Sequence, residues 1–181
     1  VGQNGHCRAN LNQSTLPAAV KVTVLNPVNG VLMSENLTVK AGRFVSVLPH
    51  CRLLNMSVDH AEGQSVIMRL PYSEAIIGNP ENGVIAGGSI TTLMDTACGT
   101  AAFIGLPGNE LCPTLDLRVD YFKSAQPGKD LVAKADIIRI TNSVVFTRAE
   151  VYQEHGDEKD VVATCAGNFM RIGMQINGRP V

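Results

Sequence analysis

Charge is scarce in this chain. Only 17% of its 181 residues are Asp, Glu, Lys or Arg, the formal net charge is −1, and no basic run occurs. That balance gives no electrostatic footprint for nucleic acid or an acidic membrane surface, and leaves small neutral or anionic ligands open. Cysteine pairing signals are missing too. The five cysteines, Cys7, Cys51, Cys98, Cys112 and Cys165, are odd in number and widely spaced, with no Cys-x-x-Cys and no nearby histidine cluster. A disulfide framework and a zinc site are therefore unsupported, no metal is expected, and reduced thiols in a cytoplasmic protein are the simplest reading. No apolar stretch reaches the roughly 18 residues of a membrane span, and no basic segment followed by an apolar one marks a leader. The Asn-x-Ser/Thr triplets at Asn12, Asn36 and Asn55 then read as chance. Internal repeats, heptads and low-complexity tracts are absent as well.

What remains is enough sequence for one domain with a sizeable core. Residues 1–40 differ from the rest in their scattered Asn, Gln, Ser and Pro, and are expected to form an N-terminal extension, of which residues 1–32 are dispensable for activity. The domain proper is expected over residues 41–174, with 175–181 a polar tail. From Phe44 to Leu54 the apolar spacing predicts a short helix interrupted at Pro49. Residues 54–70 look extended, with Asp59, His60 and Glu62 as a polar turn between two halves. After the Pro107-Gly108-Asn109 turn, alternation from Thr114 to Phe122, Leu131 to Ile140, Ser143 to Tyr152 and Val161 to Arg171 predicts four strands, the middle pair joined around Thr141-Asn142 as antiparallel neighbours. Gly156 to Lys159 reads as the last turn.

Between these halves lies the stretch that organises the chain. Turn residues crowd Asn79 to Gly83, and from Gly87 no proline occurs until Pro107, so a helix of about 18 residues and about 27 Å fits. Ile90, Leu93, Met94, Ala97, Ala101 and Ile104 form its buried stripe, and its other faces carry Ser, Thr, Ala and Cys rather than Lys or Glu. Its single charge, Asp95, demands an account, because a buried carboxylate costs several kcal/mol unless partnered. Thr91, Thr92 or a backbone amide could satisfy it; Gly87 and Gly88 could simply allow close packing. Together they also suggest chemistry: free N–H groups at a helix start polarise a carbonyl, and a carboxylate attacks it or activates water. Gly87 and Asp95 are eight residues, or about 12 Å, apart on one axis, too far to touch one carbonyl group. A shared substrate therefore needs amides from one subunit and a carboxylate from another, which predicts a two-fold dimer with two composite sites. One helix across an antiparallel sheet makes the fold class α+β.

Gly87-Gly88-Ser89-Ile90-Thr91-Thr92-Leu93-Met94-Asp95-Thr96-Ala97, then Pro113-Thr114-Leu115-Asp116-Leu117 and Tyr121-Phe122-Lys123-Ser124-Ala125, resembles the PaaI-like (phenylacetate-pathway type) acyl-CoA thioesterases of the hotdog fold over about residues 43–172. The resemblance implies an antiparallel β-sheet wrapped around one long central helix, dimers whose sheets join edge to edge, and usually a homotetramer of two dimers. It implies hydrolysis of an acyl-CoA thioester to a carboxylic acid and coenzyme A, with no cofactor because coenzyme A is part of the substrate. Asp95 takes the family's nucleophile or general-base position. The Gly87 amide of the facing subunit polarises the carbonyl, and Thr114 orients the water or the carboxylate. Asn79, in a Gly-Asn-Pro stretch shared with bacterial relatives, places substrate or water, with Asn82 the alternative. Gly88, Thr96, Asn82 and Ala86 are substrate-binding positions, and Arg139, with Lys123, Lys129 and Arg171, is a candidate for the coenzyme's phosphates. One departure stands out: the family usually carries His-Gly-Gly, and the histidine position here is Ala86.

Two other classes compete. A non-catalytic acyl-CoA-binding sensor or regulator would keep the pocket without turnover, which Ala86 mildly favours. A hydratase or dehydratase would want a histidine near the acid; none of His6, His50, His60 or His155 is close to Asp95 in sequence, and His50 alone could approach it in space. His50 itself reads first as a packing or surface residue.

Overall fold

A computed structural model describes residues 36–173, all of them within the unit Ser34–Val181. The expected tail over 175–181 and the first 35 residues of the expected extension lie outside the described residues.

The first helix, α1 (Leu37–Val47), starts seven residues before the expected Phe44, because Asn36 caps it: its side-chain oxygen accepts from the Thr38 amide at 2.9 Å. Such a cap satisfies one of the orphan donors of a helix start. Leu48 ends the helix in an extended conformation, as the ring of a following proline favours. Pro49 then opens α2 (Pro49–Leu53), at a position where a missing N–H costs nothing. Phe44 of α1 stacks on Phe103, ring centroids 4.3 Å apart.

Two strands follow, β1 (Ser57–Glu62) and β2 (Ser65–Leu70). Asp59, His60 and Glu62, expected as a turn, lie in β1. The turn is Gly63-Gln64, where Gly63 takes φ +57, a conformation without steric cost only for glycine. A 3₁₀ turn (Glu74–Ile76) and a small hairpin, β3 (Ile77–Asn79) and β4 (Val84–Ile85), lead into the long helix α3 (Gly87–Gly105). Then come β5 (Thr114–Tyr121), β6 (Leu131–Ile140), β7 (Val144–His155) and β8 (Glu158–Met170). The last two strands run further than expected towards their shared turn, because that turn needs only Gly156 and Asp157.

The main sheet has six strands in the order β1-β2-β6-β7-β8-β5, every pair antiparallel. Its inner face packs on α3. Every residue of the expected stripe is buried, and Leu93, Met94, Ala97 and Ala101 have no exposed surface. Val66, Met68, Leu131, Val145, Val151 and Phe169 of the sheet share that core. Small residues let the helix approach closely: a Cβ on Gly99 would press on Phe169 at 3.3 Å, and one on Gly105 would collide with Ile137. Among the described residues no buried side-chain nitrogen or oxygen lacks a hydrogen-bond partner. The Thr100 hydroxyl donates to the Thr96 carbonyl, and Gln153 holds the 126–129 loop through Gln126 and Lys129. Cys51, Cys98, Cys112 and Cys165 are free thiols, with the Cys98 and Cys165 sulfurs 3.8 Å apart between α3 and β8. The neighbouring thiol and burial together push Cys98 far up from the usual thiol range.

The helix is not covered all round. Gly87 and Gly88 are exposed, and Thr91, Thr92, Asp95, Thr96 and Gly99 are only half-buried. This open stripe sits beside β5, an edge strand with one side unpaired.

Candidate active site

Ala86 caps α3 with an extended backbone and no side-chain hydrogen bond. Its amide donates to the Ile76 carbonyl at 2.9 Å, so the cap is pinned to the preceding turn. Gly78 of β3 lies directly beneath it; a Cβ there would come within 2.9 Å of the Ala86 Cα. The Gly87 and Gly88 amides meet no hydrogen-bond acceptor among the described residues. Free amides at a helix start carry partial positive charge and suit a developing anion.

Eight residues on, Asp95 Oδ1 accepts from the Thr114 hydroxyl at 2.8 Å. The partner is thus neither Thr91 nor Thr92, the neighbours that helix spacing suggested. The Thr91 hydroxyl lies 2.6 Å from the Tyr121 phenol and 3.2 Å from the Gly87 carbonyl, that of Thr92 donates to the Gly88 carbonyl at 2.8 Å and that of Thr96 to the Thr92 carbonyl at 2.8 Å. Asp95 Oδ2 has no partner among the described residues. The residue lines a cleft of about 580 Å³, walled by Leu48, Pro49, Cys51 and Leu117 and by the three threonines. His50, given little weight by sequence, lines the same cleft. The signal that could have found it is Pro49, which starts α2 and directs its first turn to that mouth. Burial pushes the Cys51 thiol up from its usual range.

Gly87 borders a different depression, of about 340 Å³, with Ile85, Ile90, Tyr121 and Phe122. Within one chain the two halves of the expected site are therefore separate, as the helix rise requires. Asn79, which ends β3, and Asn82, in the turn that follows, are exposed, and their side-chain oxygens accept from the Glu81 and Val84 amides at 3.0 and 3.1 Å. Neither reaches Asp95. Arg139 is exposed on β6 beyond a bulge and borders neither hollow. Lys123 pairs with Asp160, Lys129 lies 3.0 Å from the His155 ring, and Arg171 pairs with Glu110 at 2.9 Å. Among the described residues no group of three or more His, Cys, Asp or Glu side chains is placed to hold a metal ion. No helix there is long and apolar enough to cross a membrane.

Residues 82–159, which include α3, Asp95 and Thr114, match the model of the thioesterase superfamily. A crystal structure of a protein from that superfamily is 30% identical, with TM-score 0.67, covering 74% of this chain and 97% of the other. The chain belongs to the thioesterase superfamily. Its fold is the hotdog, a six-stranded antiparallel sheet against the long helix. A crystallised protein of Pseudomonas aeruginosa is 48% identical to this superfamily member, with TM-score 0.67, over 75% of this chain and 99% of that one. The PaaI protein of the phenylacetic acid degradation operon of Escherichia coli shares the fold at TM-score 0.65 and 17% identity, over 77% and 99% of the two chains. Among curated relatives, the Escherichia coli medium/long-chain acyl-CoA thioesterase YigI is 25% identical over 158 residues, 79% of this chain and 99% of YigI. A candidate esterase of Halobacterium salinarum is 35% identical over 94 residues, 50% of this chain but only 61% of that relative.

Proposed function

We propose that this protein hydrolyses acyl-CoA thioesters to a free carboxylic acid and coenzyme A. The observation that carries the reading is the relation of α3 to the free edge of β5. One end of β5 reaches Asp95 through Thr114, and the other reaches Gly87, whose carbonyl accepts from Tyr121 at 2.8 Å. A two-fold axis through the middle of β5, near Leu117 and Arg118, would pair two such edges antiparallel. It would set Thr114 opposite the partner subunit's Tyr121, and hence Asp95 beside the free amides of the partner subunit's Gly87 and Gly88. The half-buried stripe of α3 would be covered by the same operation, and an unpaired eight-residue edge would be removed.

In that composite site the thioester carbonyl points at the helix start, whose amides stabilise the oxyanion as it develops. Asp95 attacks the carbonyl carbon directly or takes a proton from water that attacks it; both routes use the free Oδ2. Thr114 holds the carboxylate's orientation. Asn79 supplies an amide group whose nitrogen is unengaged among the described residues, available to substrate or water. Coenzyme A enters as part of the substrate and leaves as the free thiol once its C–S bond breaks, the thiolate taking up the proton that water releases, and the chain's own groups carry the steps. The apolar cleft wall and the likeness to YigI favour an aliphatic acyl group.

Thiol release from short, medium, long and aryl acyl-CoAs tests this, with Asp95→Asn alongside. Turnover that falls at least about 100-fold in the variant, roughly 2.7 kcal/mol of transition-state stabilisation, supports the assignment. A parent that binds acyl-CoA and releases no thiol is instead a sensor, the reading that the absent imidazole at Ala86 favours.

A further inference from the structure

Tyr121 has no place in the reaction so far. It ends β5, is about half exposed at 49%, and its hydroxyl donates to the Gly87 carbonyl at 2.8 Å. The Thr91 hydroxyl lies 2.6 Å from the same phenol oxygen. Thr91 is also 3.2 Å from the Gly87 carbonyl, the longer of the two donor distances to that oxygen. The arrangement that uses each proton at its shortest distance runs from Thr91 to Tyr121 to the Gly87 carbonyl. A Cβ on Gly87 would meet the Tyr121 ring at 3.5 Å, so the ring lies close against the helix start as well.

The carbonyl that Tyr121 engages belongs to the peptide whose N–H is that of Gly88. A hydrogen bond to a peptide oxygen draws electron density from its nitrogen and strengthens the N–H as a donor. The geometry points to Tyr121 as the positioning residue of the oxyanion hole: its phenol aligns and polarises the Gly87–Gly88 peptide, so that the Gly88 amide donates beside that of Gly87. This inference rests on the hydrolase reading above and adds a residue and a second donor to it. It also links the two hollows, because Thr91 lines the Asp95 cleft of its own chain while Tyr121 lines the depression at Gly87.

Tyr121→Phe keeps the ring and removes the hydroxyl. The expected result is kcat lower by about tenfold with KM within about twofold, because the lost interaction acts weakly on the polarised ground-state carbonyl and most strongly on the charge that develops in the transition state. The melting temperature should barely move. The second readout is the infrared carbonyl band of octanoyl-CoA, labelled with carbon-13 at the carbonyl and bound to Asp95→Asn. In that background the bound band should lie below its frequency in water, and adding Tyr121→Phe should return it part of the way. An unchanged kcat, or a band that Tyr121→Phe leaves in place, overturns the inference. If the parent enzyme releases no thiol, the hydrolase reading fails, yet the band still measures polarisation of the bound carbonyl. If octanoyl-CoA does not bind, the labelled member of the panel that binds tightest takes its place, and failure of every member to bind overturns both.

Discussion

Gly78→Ala is a one-methyl change, distant from Asp95 in sequence, that should damage both stability and turnover. The added Cβ would stand 2.9 Å from the Ala86 Cα, 3.1 Å from its nitrogen and 3.2 Å from its Cβ. Two of these three are backbone atoms, so no flexible side chain can swing aside. Ala86 cannot retreat freely either, since its amide is bonded to Ile76. Moving three contacts to ordinary separations, about 3.5–4.0 Å, requires a shift of roughly 0.5 Å or more at the cap of α3. Overpacking of this kind costs about 1–3 kcal/mol. At about 2–4 °C per kcal/mol for a chain of this size, that is a fall in Tm of about 2–12 °C. The displaced atoms directly precede the Gly87 and Gly88 amides, and misplacement of about 1 Å in a catalytic group can cost 100-fold, so kcat should fall by about tenfold. Differential scanning calorimetry and thiol release read the two effects. Gly88→Ala is the contrasting case, because a Cβ placed there would meet only open space. Alanine in a helix is favoured over glycine by about 1 kcal/mol, so that variant should keep or gain stability while losing activity to crowding at the oxyanion. A Gly78→Ala protein with parental Tm and kcat would refute the argument that the hairpin sets the position of the helix start.

Thr114→Val removes the hydroxyl that donates to Asp95 at 2.8 Å; on a partly exposed carboxylate this should cost about 1–1.5 kcal/mol, a kcat lower by about 5- to 13-fold with KM nearly unchanged in steady-state kinetics. Glu110 is buried and accepts from Arg171 at 2.9 and 3.3 Å and from the Gly173 amide at 3.2 Å, and the guanidinium holds its carboxyl below the usual value of 4.5. A depressed carboxylate contributes stability that is full above the unfolded value and lost as pH falls through the folded one. The parent Tm should therefore drop below about pH 4.5, and Arg171→Met should start lower at pH 7, by about 2–3 kcal/mol, with a shallower acid slope in thermal melts. Because the proposed site takes groups from two chains, specific activity should fall on dilution in step with the dimer fraction seen by analytical ultracentrifugation. Activity retained by the monomer would contradict the two-fold arrangement.

Periodicity and punctuation already determine much of this molecule. Six apolar positions at three-and-four spacing, bounded by the Asn79–Gly83 turn and Pro107, specify α3, and alternation specifies the four strands after it, because both patterns follow from local geometry that any water-excluding partner would select. The helix rise alone separates Gly87 from Asp95 by about 12 Å, so a site that used both groups would need two chains. Other features depended on contacts between residues far apart in sequence, which no local pattern encodes. Asp95 is held by Thr114, which only the family resemblance had singled out, rather than by its helical neighbours: the Thr91 hydroxyl turns to Tyr121 and that of Thr92 to the Gly88 carbonyl. The Gly-Asn-Pro stretch drew attention to Asn79, whereas the close approach that admits only glycine is at Gly78, visible once β3 is seated under Ala86. The polar run Asp59, His60 and Glu62 looked like a turn but is the exposed side of an edge strand, where water satisfies polar side chains as well as a loop would. Tertiary packing also brought His50 to the cleft and Tyr121 to the helix start, since a side chain's reach across an interface is set by the seating of whole elements, not by the residues beside it in the chain.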